Sequence, residues 1–548
     1  MTKAKKAGTM KRQAKNMKKI TERKRKWIER TIANDRSYKL FLYNRFFMFL
    51  IFVLLQIVSY VLIWFLFVYH TPLGVIVQVL TGVLMVCVLL YLLNKNDRPS
   101  VKLNWIIIIL LAPIVGVPMY ILYGEGRPTW KMNRKILQAK AENRAHMQEL
   151  GYQENVVKPT ERNEAIGHYL SQYADYPVFH DGEIEYYKSG EEMFPHMLAE
   201  MRKAEKYILL EYFIIAHGKM WNEMRQILLE KAEQGVQIRI IYDDFGCMMT
   251  LPPKYDRYLE SLHENIRCLA FNQIVPIFAV RMNNRDHKKI LVVDGKVAFT
   301  GGINIADEYI AEKRRFGYWK DTGLKITGSA VRSFVQMFMY MWNAFRKDKE
   351  DIAAYLPAPC TGKTPQGKLW IQPYDDSPFD KISVGETVYL DMIERATKSL
   401  YIFTPYLLLD DFMRNALCHA AMRGVDVRIV TPGVPDKKMV YRLTRANYQI
   451  LLQAGIKIYE YTPGFIHAKS MVCDNESAVV GTINLDYRSL YFHFENAVYF
   501  SGCEAVSAVT RDCEEVFAVS TPQTLENTKR GLIGRMVDSV LRVFETLL

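Results

Sequence analysis

The feature that most constrains this chain is a motif that occurs twice, 180 positions apart. The first copy runs His287, Lys289, an apolar stretch Ile290 to Val293, Asp294, then Gly301 and Asn304. The second runs His467, Lys469, Asp474, then Gly481 and Asn484 at the same internal spacing. One His-x-Lys followed by an Asp is a weak signal, but two with matching Gly and Asn offsets are not a coincidence of composition.

The spacing dictates what the side chains can do. A His and a Lys two apart in a strand project from one face, so each copy presents an imidazole beside an ammonium. The Asp, seven positions from the His at the strand end, points to the opposite face under strict alternation, and it reads as structural rather than as an acid or base. Two such units brought together place two imidazoles and two ammonium groups around one point, with the Asn304 and Asn484 amides beside them. That set suits a phosphodiester whose oxygens gain charge during reaction. The candidate catalytic set is therefore His287, Lys289, Asp294, His467, Lys469 and Asp474, with Asn304 and Asn484 binding phosphate. A metal is redundant there and the lysines repel it, so no metal and no cofactor is expected.

The duplication extends beyond the motifs. Ala232, Gly235, Val236, Ile238 and Arg239 recur in register as Ala421, Gly424, Val425, Val427 and Arg428. Strand, helix and strand signals cover 207–215, 221–234 and 236–242, and again 400–403, 411–423 and 425–430. Beyond each motif an acidic residue, Asp321 or Glu495, opens a further strand. The expected fold class is α/β: two sandwich halves, 181–352 and 374–523, joined by a proline-bearing linker at 353–373 and forming one catalytic unit. A carboxylate accepting from one ring nitrogen fixes a histidine's tautomer, which is the role expected of Asp321 and Glu495. His168, His180, His196, His217, His263, His419 and His493 lack the Lys partner and read as surface or packing residues.

Charge and hydropathy place the rest. Residues 1–45 hold sixteen Lys and Arg against three acids, +13 of the chain's formal +14. A tail of that kind beside hydrophobic segments favours anionic lipid head groups, and a near-neutral remainder argues against a nucleic-acid groove. Apolar segments at 46–69 and 73–93 read as a transmembrane hairpin; a third, 105–123, is interrupted by Pro113 and Pro118 and reads as re-entrant or interfacial. Residues 124–180 read as a polar helical connector. Residues 524–548 read as a basic amphipathic helix that docks on the catalytic halves or lies on the bilayer. The eight cysteines form no close pair, which fits a reducing compartment and a cytoplasmic catalytic part.

The double motif resembles the phospholipase D superfamily, and within it the bacterial cardiolipin synthases. Leu110 to Gly116, Thr404-Pro405-Tyr406 and Gly481 to Leu490 with Phe494-Glu495 carry the likeness. The first copy departs from the second, with Ala306 where the second has Asp486 and Glu308 where it has Arg488. The resemblance implies phosphatidyl transfer between two phosphatidylglycerol molecules in a bacterial cell membrane, through a phosphohistidine carried by His287. A hydrolase of the same superfamily would use the same residues.

Overall fold

In the computed structural model of the chain the described residues are 72–95, 99–121, 130–150, 152, 164–273, 284–356, 369–379 and 383–543, with seven scattered positions between 54 and 65. The basic tail and most of the first apolar segment lie outside them.

The first half contributes β1 (Ile184–Tyr187), β2 (Tyr207–Tyr212), β3 (Gln237–Asp243), β4 (Ile266–Phe271), β5 (Lys289–Val293), β6 (Val297–Gly301), β7 (Tyr318–Lys320) and β8 (Gly323–Thr327). The second contributes β9 (Trp370–Asp376), β10 (Ser399–Phe403), β11 (Asp426–Pro432), β12 (Lys457–Tyr461), β13 (Gly464–Ile466), β14 (Ser470–Cys473), β15 (Ser477–Gly481), β16 (Glu495–Ser501) and β17 (Ser520–Pro522). One sheet has the order β1-β8-β6-β5-β2-β3-β4 and the other β9-β16-β15-β14-β10-β11-β12-β17. Apart from β17 the two orders are equivalent strand for strand. Their senses agree as well: β2 is parallel to β3 and antiparallel to β5, as β10 is to β11 and β14.

The parallel pairs need crossover helices, and Lys219–Glu233 and Asp411–Met422 supply them, each burying one apolar stripe. Gly235 and Gly424 close both helices at φ 94°, a left-handed position that glycine adopts without a Cβ penalty. The linker is shorter than the sequence suggests, because Trp370 already begins β9.

The two sheets share a core. Helix Val331–Phe345 buries twelve of its residues and packs on β5, β9 and helix Trp130–Glu149. One apolar cluster joins Leu209, Ile290 and Phe334 to Ile371, Leu400 and Val472. Helix Trp130–Glu149 lies within the expected polar helical connector and also packs on the core. Its composition is polar, but Ile136, Ala139, Asn143 and Met147 form a narrow buried stripe, and Lys140 Nζ lies 3.5 Å from Asp375 Oδ1.

Among the described residues no helix is long and apolar enough to cross a membrane. Helix Pro72–Asn94 has 23 residues and no charged one. The third apolar segment is broken. Helices Pro99–Leu111 and Pro113–Met119 meet at Ala112, where Pro113 takes the N1 position. The second folds back on the first: Trp105 and Tyr120 pack edge to face at 5.4 Å, and a Cβ on Gly116 would lie 2.8 Å from Ile108 O.

Candidate active site

The halves exchange short parallel pairings along their seam. β7 pairs with β13, and Asp286 bridges to Phe494. His467 N donates to Lys320 O at 2.7 Å, and His287 N donates to Phe494 O at 2.8 Å. The residue after each accepting carbonyl is an acid, so each pairing carries a histidine from one half to a carboxylate of the other. His287 Nδ1 lies 2.8 Å from Glu495 Oε2, and His467 Nδ1 lies 2.7 Å from Asp321 Oδ2. An ionised carboxylate only accepts. The ring proton therefore sits on Nδ1, leaving Nε2 of each imidazole free to attack or to carry a proton.

Both acids are braced. Thr482 Oγ1 donates to Glu495 Oε2, and Thr322 N donates to Asp321 Oδ1 at 2.8 Å. Gly302 stands where the second half has Thr482, and a Cβ there would lie 2.0 Å from Asp321 Oδ1. The lysines curl back on their own motifs. Lys289 Nζ donates to His287 O at 2.5 Å; Lys469 Nζ donates to His467 O and lies 2.9 Å from His467 Nδ1.

The electrostatics follow from burial of like charges. Burial lowers Lys289 to about 7, with Lys469 adding to the effect, and burial lowers Lys469 to about 8. Burial first, then the neighbouring lysines, hold both imidazoles well below their ordinary value. Burial raises Asp321 to about 7, against the opposing pull of Lys469. Without substrate the cleft favours neutral imidazoles. A bound phosphodiester anion favours the protonated forms of the two lysines and of one imidazole.

Asp294 and Asp474 do not join this centre, which corrects their place in the candidate catalytic set. Asp294 accepts from the amides of Glu205, Lys206 and Tyr207, each at 2.8 Å. Asp474 accepts from Thr397, Lys398 and Ser399 in the same way. The turns at these positions have φ of 52° and 65° at Asp294 and Gly295 and 54° at both Asp474 and Asn475. Asp, Asn and Gly are the residues that tolerate that geometry. Asp at the end of the motif thus makes the hairpin turn and ties the neighbouring strand to it.

Asn304 and Asn484 brace loops at the site. Asn304 accepts from Ile214 N and donates to Tyr309 Oη at 2.7 Å, while Asn484 donates to Ser489 Oγ at 2.9 Å. Each Nδ2 retains one further hydrogen. The sequence reading places none of His493, Trp319 and Lys437 at the site, and it takes His493 as a surface or packing residue. His493 packs 5.5 Å from His287, its Nδ1 lies 3.6 Å from Glu495 Oε1, and burial lowers it to about 4. Trp319 holds the equivalent place 5.4 Å from His467. Lys437 adds positive charge that depresses both motif histidines. The only signal for the first two was their shared position, two residues before each acid. His287, His493 and Glu495 offer ligand atoms within 4.8 Å of one another, but Glu495 Oε2 and His287 Nδ1 already engage each other, and three lysines beside them oppose a cation.

Comparison with known proteins agrees with this architecture. Residues 197–342 and 389–517 match the family described as cardiolipin synthase, PLD-like domain, and residues 83–125 match the phospholipase D-nuclease N-terminal family. A cardiolipin synthase of Geobacillus kaustophilus is 32% identical over 86% of this chain and 94% of its own. An uncharacterised protein of Streptococcus mutans is 41% identical over 82% of this chain and 98% of its own. The phosphatidylserine synthase of Haemophilus influenzae shares the fold, with a TM-score of 0.55 at 16% identity over 71% of this chain and 100% of its own.

Proposed function

This chain belongs to the cardiolipin synthase family of phospholipase D-like domain proteins, and from that membership we propose that it condenses two phosphatidylglycerol molecules into cardiolipin and glycerol at a membrane surface. The observation that carries the reading is the pair of crossed imidazole–carboxylate contacts at one seam, with both motifs intact. One imidazole can attack while the other carries the proton, so a two-step displacement needs no further group.

With the substrate anion bound and His467 protonated at both ring nitrogens, His287 Nε2 attacks the donor phosphorus, the bond from phosphorus to the glycerol oxygen breaks, and His467 delivers its Nε2 proton to that oxygen. The phosphatidyl group is then bonded to His287. His467 Nε2 next takes the hydroxyl proton of the second phosphatidylglycerol, whose oxygen attacks phosphorus and breaks the phosphorus–nitrogen bond. Lys289 and Lys469 hold the developing charge on the phosphate oxygens, with the remaining amide hydrogens of Asn304 and Asn484 beside them. Bonds of like energy are exchanged, so no nucleotide is consumed.

The membrane arrangement belongs to the same proposal. The apolar sequence of 46–69, most of which lies outside the described residues, supports reading it with Pro72–Asn94 as a membrane hairpin, with the segment broken at Ala112 returning to the side it left and the catalytic halves held at head-group depth in the cytoplasm. Lipid analysis of the purified full chain given phosphatidylglycerol alone tests the activity. Cardiolipin with equimolar glycerol is the expected outcome. Phosphatidic acid as the main product would replace transfer with hydrolysis.

A further inference from the structure

Helix Leu532–Val543 is docked through Asp538 and Leu541 and leaves an apolar ridge uncovered. Asp538 is the latch: Arg442 Nε and Arg530 Nη1 each reach its Oδ1 at 2.7 Å, and Leu541 tucks against Leu408 and Val440. On the opposite side Leu532, Ile533 and Met536 are 68%, 79% and 63% exposed. Between this helix and helix Lys438–Gln453 lies an open cleft of about 240 Å³, lined by Arg445, Arg530, Arg535 and Arg542. With Arg442, five guanidinium groups face two carboxylates, Asp538 and Glu460. Arg542 donates to a backbone carbonyl, Ala446 O, which offsets none of its charge.

A cleft with surplus guanidinium groups selects a phosphate, and the apolar ridge on the same helix selects what that phosphate is attached to. A free phosphate or a nucleic acid would leave the ridge in water, whereas a phospholipid covers it. We propose that this cleft, separate from the seam, binds the phosphate of an anionic phospholipid, with the acyl chains against Leu532, Ile533 and Met536, so that the C-terminal helix clamps the catalytic halves to the bilayer surface. The inference rests on the cleft and the ridge and does not depend on the reaction at the seam.

Hydrogen exchange of the full chain in nanodiscs tests it without an activity readout. Amides 532–543 are expected to gain protection as phosphatidylserine, which is not a substrate of the proposed reaction, is titrated into phosphatidylcholine discs. Arg535→Gln and Arg542→Gln are each expected to weaken the response roughly fivefold. Ile533→Asp is expected to abolish it while the sheets keep their protection. Equal protection in discs with and without phosphatidylserine would overturn the proposal. So would full protection by inorganic phosphate, or by a single-stranded oligonucleotide, in discs of phosphatidylcholine alone.

Discussion

Each imidazole at the seam is oriented by an acid from the other half, so an acid-to-amide change attacks the tautomer and leaves the packing in place. Glu495→Gln and Asp321→Asn are expected to lower turnover by about ten-thousandfold at unchanged stability, by the logic of a triad whose carboxylate is replaced. His287→Ala or His467→Ala should cost as much or more, and the double variant little beyond either single one. The pH dependence follows from the same residues. Asp321, raised to about 7 by burial, must be ionised to hold His467, so activity falls as pH drops through that value. Lys289 and Lys469, lowered to about 7 and about 8 by burial, must be charged to hold the phosphate, so activity falls as pH rises through those values. The profile of kcat/KM is therefore a narrow bell centred near pH 7. Asp321→Asn should remove its acid limb, and a profile flat across this range would refute the assignment. The motif residues were legible from spacing alone. The crossing of acids and histidines was not, because alternation fixes the face of a strand and not the half that a side chain meets. His493 was missed because it lacks the Lys partner that marked the other two.

At the scale of single elements, the motif Asp is a fastener. Asp474 holds three consecutive amides and the Thr397 hydroxyl, and its loss leaves those donors to partial solvation. Asp474→Ala is expected to cost roughly 2–4 kcal/mol of stability, read by denaturant unfolding, while turnover per folded molecule changes only a few-fold. A loss of turnover without a loss of stability would return Asp474 to the chemistry. The structural role was legible in the sequence because Asp294 and Asp474 sit an odd number of residues from their histidines at a strand end. The packing of helix Trp130–Glu149 was not, since four buried positions among twenty are hidden by the charged residues around them. The departure of Ala306 from Asp486 also acts locally. Asp486 caps helix Tyr487–Tyr491 by accepting from Ser489 N at 2.7 Å, whereas the segment after Ala306 closes as a short 3-10 turn, Asp307–Ile310.

At the scale of the whole molecule, a core continuous across both sheets and a site split between them make the two halves one unit. Halves expressed separately are expected to be inactive, and EDTA should leave the rate of the intact chain unchanged; activity lost to chelator and restored by metal would reverse the metal-free mechanism. Duplication and fold class were legible because strand order is repeated with the motifs. The fold-back of 99–119 was foreshadowed only by its prolines, since apolar composition does not distinguish a span from a re-entrant pair. The central claim is that His287 carries the phosphatidyl group while the half-exchanged His467 moves protons. Rapid acid-free quenching of the full chain with phosphorus-labelled phosphatidylglycerol, followed by peptide mapping, tests it most directly. The account predicts acid-labile label on His287 and none on His467. Label on His467, or no covalent label during turnover, would contradict it.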